Sequence, residues 1–140
     1  MTAARNTSAV LPANEEAAGR QVMVVDDEPG VRRLMARMLR EAGYTVHEVG
    51  DGLEALGFVE AASELLDLVV SDVVMPRLNG VELIQRLSSA CPDLPCILMS
   101  GYGGPQLEAL GIVAPCGMLT KPVPPGVLLD EVRRCLRQRP

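Results

Sequence analysis

Short apolar runs rich in Val, Leu, Ile and Met alternate along the chain with longer stretches whose apolar residues recur every three or four positions. The run over residues 21–26 (QVMVVD) has the length and β-branched content of a buried strand. Pro29 then sits at a first-turn position, and Val31, Leu34, Met35, Met38 and Leu39 give the i, i+3, i+4, i+7, i+8 stripe of a helix that Gly43 closes. A second strand is predicted over residues 45–49. After the turn at Asp51 and Gly52, a second helix carries Leu53, Leu56, Val59 and Glu60. The third strand covers residues 68–72, and the loop marked by Pro76 and Gly80 leads to a helix with Val81, Leu83, Ile84 and Leu87. Residues 95–100 make the fourth strand. Gly103, Gly104, Pro105, Gly111 and Pro115 leave a fourth helix only a turn or two around residues 106–110. Met118 and Leu119 form a short fifth strand, and residues 125–138 a last helix with Val127, Leu128, Val132 and Leu136 inward.

Strand followed by helix, five times with short connections, predicts right-handed crossovers and an α/β fold: a five-stranded parallel sheet, doubly wound as (βα)5. The chain of 140 residues suits one domain with a core of ordinary size. Residues 1–20 are polar and read as a flexible leader or linker, leaving 21–138 as the folded domain. Only Tyr44, Phe58 and Tyr102 are aromatic, so the core must be aliphatic, as in a parallel sheet covered on both faces.

A formal charge of −5 argues against nucleic acid as the partner. The basic run Arg133, Arg134, Arg137 and Arg139 reads as a solvated helix face that complements the helix dipole. No apolar run approaches a membrane span and no signal-peptide pattern is present, so a cytoplasmic domain without membrane contact is expected. Cys91, Cys96, Cys116 and Cys135 form no CxxC pair, which argues against zinc. They read as free thiols of a reducing cytosol, with Cys96 filling a strand. His47 reads as an edge histidine.

The strand ends carry the chemistry. Ligands of α/β sheets bind at the carboxyl edge, so Asp26, Asp27, Asp72, Ser100 and Lys121 are expected in one crevice. Carboxylates about 4 Å apart repel by ~4 kcal/mol per pair at an effective dielectric near 20, which calls for a cation. Mg²⁺ suits oxygen ligands and needs only one or two carboxylates plus a phosphate. An aspartate beside such an ion can accept a phosphoryl group whose oxygens are neutralised by metal, lysine and hydroxyl. Singly, each residue is weak evidence, since an aspartate after a strand is commonly a helix cap.

Together, VVDDEP, SDVVMPRLNG, LMSGYG and LTKP resemble the receiver domain of two-component response regulators, over residues 21–138. The resemblance implies a flavodoxin-like, CheY-like fold and a phosphorelay function. It makes Asp72 the phosphoacceptor, fed by a histidine kinase or a histidine phosphotransfer domain. Asp26, Asp27, Asp72 and the backbone carbonyl of Val74 match the Mg²⁺ set. Ser100 matches the switching hydroxyl, Lys121 the lysine that pairs with the phosphoryl group, and Pro122 the proline after a cis peptide bond. Such a domain is not an enzyme in the ordinary sense: it catalyses its own Mg²⁺-dependent phosphorylation and dephosphorylation, and a partner reads the result.

Met118 stands where receivers usually carry an aromatic switch residue, so a weaker link from site to surface is expected. The LMSGYG and SDVVMP segments resemble receivers of hybrid sensor kinases more than those preceding DNA-binding domains. Partner docking is expected around Arg32, Arg33 and Met35. A dehalogenase-type phosphatase would need a second aspartate where Val74 stands. The alternative of a pseudo-receiver that is never phosphorylated leaves the buried acidic set without a role.

Overall fold

The computed structural model describes residues 17–101 and 115–138. Five strands, β1 (Gln21–Val25), β2 (Thr45–Val49), β3 (Leu68–Asp72), β4 (Cys96–Ser100) and β5 (Gly117–Thr120), form one parallel sheet in the order β2-β1-β3-β4-β5. Helices α1 (Pro29–Glu41), α2 (Gly52–Ala62), α3 (Gly80–Ala90) and α4 (Pro125–Arg137) lie among them, with a 3-10 turn over Ser63–Leu65 after α2. The predicted helix around residues 106–110, Tyr102 and residues 1–16 lie outside the described residues. Ala17 is fully buried in the core just ahead of β1.

Alternation along the strands divides the core in two. Val22, Val24, Val70 and Ile97 face α1 and α4, whereas Met23, Val25, Val69 and Leu98 face α2 and α3. Because both faces of a parallel sheet are covered, the central strands are apolar throughout, and each fully buried Leu or Met contributes roughly 1.5–3 kcal/mol. His47 stands on the edge strand β2, its Nε2 2.6 Å from Gln21 Oε1 and its ring 4.9 Å from that of Phe58.

The outward residues depart from the predicted stripes. Leu34 is 54% exposed, and Leu53 and Val127 are also exposed. In their place the small residues Ala36 and Ala55 meet the sheet. A helix packed closely on a sheet puts its smallest side chains at the line of contact, and the bulky neighbours splay to the flanks. Met35 is buried, so it cannot form part of an exposed docking surface on α1.

The cysteines also depart from expectation. Cys116, just before β5, and Cys135 on α4 form a disulfide across 19 residues, with Cα atoms 5.9 Å apart. The pairing is made by the return of α4 onto β5, which no local spacing reports. Cys91 and Cys96 are free. Cys96 fills β4 as predicted, and burial pushes its thiol up to about 12, so it is inert packing.

Candidate phosphoryl-acceptor site

Each chemically capable side chain leaves the carboxyl end of its strand because the core claims the residues before it. Asp26 follows β1 and is fully buried. One of its oxygens, Oδ1, accepts the Glu28 backbone N–H at 2.9 Å, and the other, Oδ2, accepts Lys121 Nζ at 2.9 Å. The capping role and the chemical role of this aspartate are therefore both filled, one oxygen each. Glu28 itself, the residue at the N-cap of α1, makes no side-chain cap. Arg32 fixes the strand end from above, donating to the Asp26 carbonyl at 2.9 Å and pairing with Glu48 at 3.5 Å.

Asp72 closes β3 and is almost fully buried, with its Oδ2 3.2 Å from Lys121 Nζ. Ser71 Oγ donates to the Asp72 carbonyl, and the Val74 backbone N–H donates to the Asp72 carboxylate. Val74, two residues on, is 74% exposed, and Asp27 is the exposed member of the acidic group, so the crevice opens to solvent at this edge. Arg77 takes a left-handed backbone with φ of 69° and pairs with Asp51, tying the β3–α3 loop to the start of α2. Asn79 and Glu82 form a capping box that starts α3.

Lys121 follows β5; its backbone N–H donates to the Ser100 carbonyl at 2.8 Å. The Lys121–Pro122 peptide is cis. Ser100 ends β4, half-buried, in register with Thr120. Met118 packs half-buried against the core on the α2 and α3 side.

Asp26, Asp27 and Asp72 each present an oxygen within 4.8 Å of the others, Asp27 being the exposed member. Against one ammonium, three ionised carboxylates leave the crevice two charges negative, and all its ligand atoms are oxygen. That donor set fits a hard divalent ion such as Mg²⁺.

Burial pushes the Asp72 carboxyl above its ordinary value, with Asp26 adding repulsion and Lys121 opposing both. Burial alone would pull Lys121 down, but the hydrogen bond and charge of Asp26, helped by Asp72, hold it above its ordinary value. A carboxyl raised in the folded state favours folding most below 3.8, and it becomes a penalty as pH rises through the raised value. Asp72→Asn is therefore expected to stabilise the protein at neutral pH by about 1 kcal/mol, after allowance for screening at this open crevice. Urea unfolding checks this: the gain should vanish toward about pH 3, and a destabilised variant at neutral pH contradicts it.

Of the residues expected at one edge, Asp26, Asp27, Asp72, Ser100 and Lys121, the structure brings the three aspartates within reach of one another and Lys121 within reach of Asp26 and Asp72. Sequence reasoning missed the Arg77–Asp51 tie and the grip of Arg32 on the Asp26 carbonyl. The Asn79-x-x-Glu82 pattern was readable as a cap.

Comparison with known proteins agrees with this arrangement. The family described as "Response regulator receiver domain" matches residues 22–133. The sensor kinase CckA of Brucella abortus (strain 2308) is 39% identical over 119 residues, covering 84% of this chain and 13% of that protein. The response regulator MprA of Mycobacterium ulcerans (strain Agy99) is 37% identical, covering 84% of this chain and 50% of the regulator. Among solved structures, the receiver domain of the hybrid histidine kinase CckA superposes with a TM-score of 0.70 at 34% identity, covering 83% of this chain and 98% of that one. The chemotaxis protein CheY4 of Vibrio cholerae gives 0.72 at 32% identity, covering 84% and 99%.

Proposed function

Because the chain belongs to the response regulator receiver domain family, we propose that it accepts a phosphoryl group from a phosphohistidine onto Asp72 and signals through the resulting change of state. The observation that carries this reading is the placing of the Asp72 carboxylate 3.2 Å from Lys121 Nζ, within 4.8 Å of two further aspartate oxygens, in a crevice open beside Val74. In the transfer, the bond from phosphorus to the histidine nitrogen breaks as a bond to an Asp72 carboxylate oxygen forms. Asp26, Asp27, Asp72 and the Val74 carbonyl are the groups that would hold Mg²⁺, which would supply neutralisation of the phosphoryl oxygens. Lys121 leaves its shared contact with the two aspartates to pair with a phosphoryl oxygen. The Ser100 hydroxyl donates to another. Pro122 sets the turn that aims Lys121 back over the crevice.

Receiver domains generally bind Mg²⁺ at an acidic pocket and act with histidine kinases or histidine phosphotransfer partners. For this chain the partner is a phosphohistidine-bearing helix bundle that docks over the crevice. Exposed Leu34 and Arg33 on α1 and Val74 beyond β3 supply an apolar and basic rim. The chain spans 13% of the first sensor kinase and about half of the regulators it matches. Its likeness to both CckA sequences supports a receiver of the hybrid-kinase type, and the burial of Ala17 draws the folded domain a few residues ahead of the expected start at residue 21. Among the described residues no helix is long and apolar enough to cross a membrane.

The test is intact-mass analysis after incubation with acetyl phosphate and Mg²⁺. Wild type should gain one phosphate, and chelation of the metal or Asp72→Asn should abolish the gain. Equal labelling of Asp72→Asn removes the assignment, and an unlabelled wild type turns the reading to an interaction module that is never phosphorylated.

A further inference from the structure

At the far end of β5 from the aspartates, Cys116 and Cys135 join the strand to α4. Their surroundings differ from those of an inert staple. Cys135 is fully buried, whereas Cys116 is half-buried at the start of the strand, so an incoming thiol meets the Cys116 sulfur first. Arg134 Nη2 lies 3.6 Å from Cys135 Sγ and 3.9 Å from Cys116 Sγ, and it donates to the Cys116 carbonyl at 2.6 Å. The guanidinium is held there by Glu131, at 2.8 Å from Nε and 3.0 Å from Nη2. Gly117 makes room for that clamp, since a Cβ there would lie 2.3 Å from the Glu131 carboxylate. Gln138 Oε1, 3.7 Å from Cys116 Sγ, is placed to accept a thiol hydrogen once the bond opens.

We propose that Cys116 and Cys135 form a reversible redox-modification site, opened and closed by exchange with a dithiol protein, which sets how firmly α4 is held on β5. A thiolate of the dithiol attacks Cys116 Sγ, forming a mixed disulfide and expelling Cys135 as thiolate. Positive charge beside a sulfur stabilises the thiolate and makes it the better leaving group, and Arg134 supplies that charge to Cys135. The partner's second thiolate then attacks its own mixed-disulfide sulfur. Cys116 leaves as thiolate, the partner carries away the disulfide, and two electrons have passed to this chain. Oxidation runs the same steps in reverse from an oxidised dithiol partner. The bond closes a loop that contains Lys121, so its state bears on the strand that presents the lysine. In a reducing compartment, disulfides are mostly transient and redox-sensing, which suits an open-and-shut role better than a permanent one.

The experiment uses the full chain, air-oxidised, then treated with dithiothreitol without denaturant, trapped by alkylation and weighed intact. Oxidised protein should expose only Cys91 and Cys96 when subsequently unfolded, and reduced protein all four cysteines. Backbone hydrogen exchange in β5 and α4 should quicken by about tenfold on reduction, while β1 and β3 stay unchanged. Arg134→Gln should slow native-state reduction by about tenfold, an effect on rate that loss of packing would not produce, since looser packing speeds access. Cys116→Ser should be insensitive to dithiothreitol in both readouts. The proposal is overturned if the disulfide does not form, if it yields only after unfolding, or if its reduction leaves exchange in α4 unaltered.

Discussion

Lys121→Met is expected to lower folding stability at neutral pH by about 3 kcal/mol, because breaking a buried ion pair from one side leaves charge without compensation. Lys121 Nζ is the common partner of Asp26 Oδ2 and Asp72 Oδ2, at 2.9 and 3.2 Å. Methionine fills a similar volume, so the loss reports charge rather than packing. The pH dependence separates the two. As pH falls through the raised value of Asp72 toward 3.8, its carboxyl protonates, its need for an ammonium fades, and the gap between variant and wild type narrows. On the alkaline side, a lysine whose folded value is raised gives stability that is complete below 10.5 and lost as pH rises through that higher value. The gap should therefore be widest in the neutral range and shrink at both ends. Urea titrations across that range check it; a gap independent of pH would make Lys121 a packing residue. Added Mg²⁺ should recover part of the stability of the variant, since a divalent ion binding only the folded carboxylates stabilises by mass action.

The legible part of this molecule was what each strand could state alone. A run such as QVMVV followed by Asp26 names its own element and its own end, and the rule that sites gather at the carboxyl edge converts separate strand ends into one crevice. The gathering of the aspartates and Lys121 at one edge of a parallel sheet follows from that logic, whereas the strand order and register come only from the structure. What stayed hidden needs distances between segments remote in sequence. Cys116 and Cys135 each look like filler until α4 returns to β5. Arg77 and Asp51 are 26 residues apart, and they meet where Arg77 takes a left-handed backbone turn. Leu34 and Val127 were read inward because hydrophobic patterning weighs bulk, whereas the helix–sheet contact favours Ala36 and other small residues.

The same blindness to close approach hides Gly80, and Gly80→Ala is expected to destabilise the fold by about 3 kcal/mol or more. Gly80 opens α3, and its backbone N–H donates to the Val73 carbonyl at 2.9 Å, which draws the helix start down onto the end of β3. A Cβ there would lie 2.3 Å from the Asp72 carbonyl oxygen and 3.1 Å from both the Asp72 carbonyl carbon and Leu98 Cδ2. A flexible side-chain tip could swing aside, but the main obstacle is backbone, and it belongs to the residue at the centre of the site. Relief must come from lifting α3 or from shifting the end of β3, and the second moves the Asp72 carboxylate relative to Lys121. Acetyl phosphate labelling at Asp72 should therefore fall by at least about tenfold, even under conditions where the variant remains folded. Gly57→Ala is the matched control: it lies on α2 with nothing within 4 Å of the added carbon, so it should gain about 0.5–1 kcal/mol and leave labelling alone. If thermal unfolding showed the two alanines to be equivalent, the close approach of α3 to β3 would not be what sets the Asp72 position.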